Sequence, residues 1–452
     1  MGRKLFALAS VMTANHKTQI GDDSEIPAAY TYFGQFIDHD ITLEEISVDG
    51  ENLPLSLQPL VDPTRYLANA RTAALDLDSV YSSPAPREVG DDSKMRLGTV
   101  ATAPPRPSGK DQWNDLPRQG RSHDIRNDRA ALIGDPRNDE NLIVAQLHVA
   151  FLRAHNALVD EGASHAEARL RLQTMYQSAI FGDLLPQLVD VTVLEDVLDR
   201  GPRYWRPSRS EPFVPLEFAV AAFRFGHSMV RQEYDINESF GLAGRLGKAP
   251  LAAMFTFTAM SGSFSSLAGQ DFDTLPENWL IEWHRLLQVP SMPHPVMARR
   301  IDTTLSSGLD DLRGLEGERL PEPVAVRLAA RNLLRGYRLG LPTGQAVARI
   351  MDSKPLAGVE LLEALPEAQR KLVEALGFHE ITPLWFYILA EAGDMRAGKP
   401  NGKRLGKVGS TIVVETLYNL ARWSSGSIFN EDGTKPKLHW TLLDILRKGA
   451  VA

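Results

Sequence analysis

Apolar residues recur at helical spacing along most of the chain. Between 139 and 161, Ile143, Leu147, Ala150, Phe151, Ala154 and Leu158 fall on one face. Asp139 and Glu140 stand where acidic side chains favour a helix start, and Gly162 stands where a helix stops. A helix over that range is roughly 33 Å long, enough to cross a domain. Similar stripes predict helices over 164–181, 214–232, 322–337, 366–377, 383–392 and 411–423. Period-two alternation is sparse. The expected class is mainly α: one large helical domain over 26–452, very little β, and its sites deep between helices. Residues 1–25 form a lead-in. Within it, Gly2-Arg3-Lys4 followed by Leu5 to Met12 reads as an amphipathic starting helix. As a secretion signal its apolar run is short, interrupted by Ser10, and followed by no clean small-x-small cleavage site. Residues 83–128, with Pro84, Pro86, Pro104, Pro105, Pro107 and Pro117, read as a long surface excursion, and 202–215 as a second proline-rich connection. No internal repeat is visible.

Composition narrows the function. At 452 residues the chain can bury a bulky cofactor. A net charge of -8 leaves no basic excess to neutralise phosphates, which argues against a nucleic-acid partner. The absence of cysteine excludes disulfides, thiolate metal sites, iron–sulfur clusters and thiol catalysis. It fits a reducing cytoplasm, the expected location, with secretion or a periplasmic site left open. No run of 18 apolar residues occurs, so no membrane span is expected.

Three segments carry candidate chemistry. In 32–40, Tyr32, Phe33, Phe36 and Ile37 make an apolar stripe on a helix, and Gln35 and His39, four apart, share a face. Asp38-His39-Asp40 beside such a stripe is costly to bury unless each group has a partner. Taken alone, the segment equally describes a capped helix end with a satisfied histidine. In 134–141, Arg137 lies just before a helix N-terminus, a place that favours anions; a turn followed by a cap is the plainer reading. On the helix that follows, His148 and His155 are seven apart, and we take both as partnered inside the bundle rather than as metal ligands. In 218–230, Arg224 and His227 are three apart on a helix. Gly226 removes a side chain beside the histidine, which permits close approach of a flat cofactor. A histidine capping a buried helix has the same local sequence.

Residues 71–81 offer oxygens at alternate positions. Thr72, the Ala74 carbonyl, Asp76 and Asp78, together with Asp40, could wrap a hard cation. An acidic surface turn is the alternative.

Taken together and in order, these segments resemble the animal-type haem peroxidases of the peroxidase–cyclooxygenase superfamily, the group that includes myeloperoxidase, lactoperoxidase and peroxidasin. The likeness runs from about residue 26 to the C-terminal region. It includes Asn332-Leu333-Leu334-Arg335, Thr382-Pro383-Leu384-Trp385 and Leu405-Gly406-Lys407-Val408-Gly409. The resemblance implies that His39 is the distal acid–base, that Gln35 orders water or halide above the iron, and that Arg137 is the distal catalytic arginine. It implies ester bonds from Asp38 and Glu140 to haem methyl groups. Asn141 stands where one member has a methionine that adds a third link, so at most two links are expected. His227 becomes the proximal iron ligand. Asn332 accepts its N–H and tunes the iron, and Arg224 and Arg335 lie near the propionates. Asp40, Thr72, Ala74, Asp76 and Asp78 become the Ca2+ site, with a carboxylate at Asp78 where the family often has serine. The implied cofactors are a haem b derivative and Ca2+.

The implied activity is reduction of hydrogen peroxide and oxidation of halides, thiocyanate, phenols or aromatic amines through an oxoferryl intermediate. The upstream region is short and the cysteines of vertebrate members are missing, so the chain is similar to compact bacterial-type members. A fatty-acid dioxygenase of the same superfamily would carry a tyrosine three residues before the proximal histidine, and that position is Arg224. A non-catalytic haem binder would need no distal Arg–His pair, and an α-helical interaction protein with no cofactor would lack a Soret band when purified.

Overall fold

The apolar stripes identified in the sequence are the buried faces of the helices. The structure is a computed structural model. It describes the chain except for residues 14–22, 49–50, 53–66, 104–112, 125–126, 243, 259–262, 265–271, 313–325 and 430–435. Helix α1 spans Gly2–Ser10, α2 Ala29–Ile41, α3 Leu142–Asp160, α4 His165–Ala179, α5 Leu328–Arg338, α6 Leu384–Gly393 and α7 Lys407–Trp423. The mainly helical class stands as expected. The described strands are short, two to five residues, and pair antiparallel, as where Asp23–Pro27 meets Met297–Arg299 just before α2.

Helices α2, α3 and α4 build the wall of the core that matters for the site. Phe36 of α2 stacks on Phe151 of α3 with centroids 4.6 Å apart, and Tyr176 of α4 meets both rings edge-on. Such pairs add to area burial and fix how the helices seat on one another. Helix α3 is long and apolar enough to cross a membrane by length and composition. It is instead sheathed by α2, α4 and the short helix Leu442–Lys448, and is buried in the protein. Helix α1 packs on α5 through buried Leu5 and Leu8.

Three expectations need correction. First, α3 begins at Leu142, because Asn141 caps it by accepting Val144 N–H at 3.1 Å. Asp139 closes a preceding 3-10 turn, Pro136–Asp139, where its carboxylate is engaged by Arg118. Second, the stretch expected as one helix over 214–232 is a π turn (Glu217–Ala221), a 3-10 turn (Ala222–Phe225) and one α turn (Gly226–Met229). Such departures from regular winding often mark functional sites. Third, the excursion over 83–128 is only partly superficial. Asp115 and Leu116 are buried, and Arg118 bridges Asp115 and Asp139 from a side chain 3% exposed. The connection over 202–215 is anchored as well: the backbone N–H groups of Arg203, Tyr204 and Trp205 donate to the buried Glu415 carboxylate of α7 at 2.7, 2.9 and 2.8 Å. In the expected helix 322–337, residues 322–325 lie outside the described residues, and α5 starts at Leu328.

Candidate active site

A cavity of about 460 Å3 lies between α2 and the broken 217–229 segment. From α2 it is bordered by Tyr30, Gly34, Gln35, Asp38 and His39; from the turn before α3, by Arg137, Glu140 and Asn141; and from the opposite wall, by Arg224, Gly226 and His227. Gly34 and Gly226 border it from facing walls, and a Cβ added at either would meet nothing within 4 Å. Backbone therefore comes directly to the cavity on both sides, as a flat cofactor between two helical walls requires.

On the distal wall, His39 is 5% exposed. Its Nδ1 lies 2.9 Å from Asn138 Oδ1, so the imidazole N–H donates there and Nε2 is left as the base. Nε2 lies 3.8 Å from Glu140 Oε1. Asn138 in turn donates through Nδ2 to His148 Nδ1 at 2.9 Å. Burial, followed by the Arg137 charge, pushes the His39 pKa down to about 4, so the imidazole is neutral near pH 7. Arg137 is held by Asp135 through Nε at 3.1 Å and Nη2 at 2.7 Å; Nη2 also donates to the carbonyls of His39 and Thr42. Burial opposes its charge, but the Asp135 carboxylate outweighs burial and raises the Arg137 pKa. Gln35 donates from Nε2 to Glu140 and accepts Asn141 Nδ2 at 3.0 Å. His148 and His155 are both partnered inside the bundle, His155 by Tyr81 Oη at 2.8 Å and the Ser93 carbonyl at 3.0 Å.

On the proximal wall, burial pushes His227 down to a pKa of about 3, with Arg224 and Arg331 adding to the shift. A neutral imidazole is the form that ligates a metal. Asn332 of α5 lies beside it, but its amide is set opposite to the expectation. Arg224 Nη1 donates to Asn332 Oδ1 at 2.8 Å, which leaves Nδ2 facing His227 Nδ1 at 2.8 Å. A guanidinium has donors only, so it takes the one oxygen of the amide. Arg335 also departs from expectation. It does not border the cavity, whereas Arg331, one turn earlier on α5, does. Trp385 of α6 braces this wall by donating from Nε1 to the Arg224 carbonyl at 3.1 Å.

The loop after Arg71 brings part of the expected oxygen set together. Asp40, fully buried, accepts Leu77 N–H at 3.2 Å and Ser79 N–H at 3.1 Å. Asp78 accepts the backbone N–H of Thr72 at 3.1 Å and the Thr72 hydroxyl. Burial, then the nearby Asp78 carboxylate, pushes Asp40 up to about 7. Asp76 differs: its carboxylate turns to Ser425, accepting N–H at 3.0 Å and the hydroxyl at 3.2 Å. Among the described residues no group of three histidine or carboxylate side chains converges as a metal site.

Sequence reasoning missed Asn138, Asp135 and Arg331. Asn138 and Asp135 lie on either side of Arg137 in the sequence, and only their hydrogen bonds show that they orient the histidine and the arginine.

The model of the animal haem peroxidase family matches residues 56–422, and the chain belongs to that family. Human probable oxidoreductase PXDNL is 30% identical over 191 residues, covering 39% of this chain and 13% of that protein. A peroxidase-like protein of Margaritifera margaritifera is 26% identical over 263 residues, covering 45% of this chain and 32% of the other. The chain thus spans a third or less of the length of these relatives. Among solved structures, peroxidase A of Dictyostelium discoideum aligns over 99% of this chain and 86% of its own, with TM-score 0.58 and 15% identity. The Oryza sativa fatty acid alpha-dioxygenase aligns over 98% and 76%, with TM-score 0.60 and 14% identity. At these identities the likeness is one of fold.

Proposed function

We propose that the chain is a haem peroxidase that reduces hydrogen peroxide and oxidises halides, thiocyanate or phenolic and aromatic-amine donors. One observation carries the reading: a neutral, oriented His39 beside Arg137 faces His227 across a cavity with bare backbone on both walls. Haem bound there supplies an iron for the peroxide oxygen and the redox equivalents that reach the donor. His227 would hold that iron. Its proton then sits on Nδ1 and needs an acceptor, so the Asn332 amide turns to present Oδ1. That turn releases Arg224 for a propionate, and Arg331 is the further cation on the wall.

On the distal side, His39 Nε2 is the base that would take a proton from hydrogen peroxide and return it to the departing oxygen. Arg137 stabilises the charge that develops as the O–O bond breaks. Gln35, held by Glu140 and Asn141, orders water or halide beside His39. Asp38 and Glu140, which both border the cavity, are the carboxylates we assign to the ester bonds. Asp40, Asp78, Thr72 and the Ala74 carbonyl are oxygen donors suited to Ca2+; Asp76 joins them by leaving Ser425. Because Asp40 adjoins His39, a bound cation also fixes the distal histidine.

Haem-reconstituted protein is expected to oxidise a phenolic donor with hydrogen peroxide. Failure to oxidise any phenol, aromatic amine, halide or thiocyanate would reject the reading. The rate of the peroxide step is expected to hold down to low pH and fall only through about 4, because His39 must be neutral to act and burial lowers its pKa from 6.5. A fall centred near 6.5 in a stopped-flow pH series would contradict the burial of His39. After peroxide treatment, haem should resist extraction into acidified organic solvent, and replacing Asp38 and Glu140 together by alanine should make it extractable. Complete extraction from the parent protein would remove the ester assignment.

A further inference from the structure

Tyr30 is a polar residue at the cavity that the peroxide chemistry does not use. It lies in the first turn of α2, is 5% exposed and borders the cavity. Its hydroxyl points away to a second group, donating to Asp183 Oδ1 at 2.7 Å. Asp183 sits in the π turn Ile180–Leu184 that follows α4. The carboxylate is fixed from three sides: Gln187 Nε2 donates to Oδ1 at 3.2 Å, Leu442 N–H donates to Oδ2 at 2.9 Å, and Tyr30 supplies the third bond. Asp183 is half-buried, and its neighbours Gly182 and Pro186 are exposed. One tyrosine and one carboxylate therefore connect the cavity to the outer surface.

This arrangement has a specific chemical use. A phenol that loses an electron becomes a strong acid, and inside a protein it is oxidised readily only where a base already holds its proton. Tyr32, also on the cavity wall, lacks that feature: its ring meets Tyr234, a phenol and not a carboxylate base.

We propose that Tyr30 is a redox-active tyrosine, with Asp183 as its proton acceptor, that carries oxidising equivalents from the cavity to the surface around residues 182–186. This rests on the haem peroxidase reading. In the step, Tyr30 gives one electron to the cofactor that hydrogen peroxide has oxidised. Its O–H bond breaks and the proton moves to Asp183 Oδ1, leaving a neutral phenoxyl radical and a carboxylic acid. A donor at the surface then returns an electron to Tyr30, and Asp183 returns the proton. The substrates served are phenolic or aromatic-amine one-electron donors too bulky to enter the cavity.

The test is freeze-quench electron paramagnetic resonance of the haem-reconstituted full chain, mixed with hydrogen peroxide and no donor, with the Soret band followed in parallel. A tyrosyl signal is expected in the parent protein, lost in Tyr30→Phe and kept in Tyr32→Phe, with the peroxide-driven Soret shift present in all three. Asp183→Asn separates a redox role from a structural one. Its amide oxygen can still accept the Tyr30 hydrogen bond, with the Leu442 N–H bond given up, but cannot take the proton, so the signal is expected to be lost while the Soret shift remains. Should Tyr30→Phe fail to fold, Asp183→Asn alone decides. A Soret shift without a tyrosyl signal in the parent, or a signal that survives both Tyr30→Phe and Asp183→Asn, would overturn the relay and leave the peroxidase reading standing. No Soret shift in the parent would overturn both.

Discussion

Replacing His39 by alanine is expected to slow the reaction with hydrogen peroxide by about 10²- to 10⁴-fold, the usual contribution of a positioned acid–base group. Binding of haem should survive, because His227 and the proximal wall are untouched. The size of the effect follows from how completely the imidazole is prepared. Its N–H is committed to Asn138 Oδ1, its Nε2 is left as the base, and burial keeps it neutral down to about pH 4. Asn138→Ala should produce a smaller loss in the same step, since it removes the orienting partner but leaves the base. Stopped-flow measurement of the Soret shift separates the two. An undiminished rate in His39→Ala would show that the proton is moved by another group.

Arg118→Ala is expected to lower the unfolding free energy by about 3–5 kcal/mol, the cost of leaving buried charge without its partner. Arg118 donates to Asp115 through Nε at 2.8 Å and to Asp139 through Nη1 at 2.7 Å, and both acids are 1% exposed. Removing it takes a buried guanidinium away from two buried carboxylates. Asp139 precedes Glu140 and follows Asn138, so the distal wall should loosen along with the fold. The matched control is Arg203→Ala, whose partner Asp352 is largely exposed, as Arg203 itself is; it should leave stability nearly unchanged. Denaturant midpoints of the two variants give the comparison, and equal shifts would contradict the account of 83–128 as an anchored segment.

The Ca2+ assignment makes a smaller prediction. Added Ca2+ should raise the melting temperature of the parent protein, a chelator should reverse the rise, and Asp78→Ala should abolish both responses. A cation that binds only the folded state must stabilise it, so an unchanged melting temperature would remove the assignment.

Helices were legible because a buried face imposes its spacing on the sequence. The Ile143-to-Leu158 stripe located α3 within three residues at its start. The start itself was misplaced because the acidic pair at 139–140 looked like first-turn residues, while Asp139 serves a buried arginine 21 residues earlier in the chain. A local pattern carries no trace of such a distant partner. The same reason hid the burial of Arg118 among prolines and polar residues. The proximal stretch was mistaken for one helix because its apolar spacing fits a regular winding; the π and 3-10 turns change the phase without changing the composition. At the site, the cavity brings together Gln35, Asp38, His39, Arg137, Glu140, Arg224 and His227 from segments far apart in sequence. The exchange of Arg335 for Arg331 at the wall and the turn of Asp76 to Ser425 depend on side-chain direction, which spacing alone does not determine.

The most direct test of the central claim is an absorption spectrum of protein supplied with haem, recorded before and after hydrogen peroxide, for the parent chain and for His227→Ala. The account predicts a Soret band that shifts with peroxide in the parent and is lost or strongly altered in His227→Ala. Folded protein that takes up no haem, or a band and a peroxide response unchanged by His227→Ala, would contradict it.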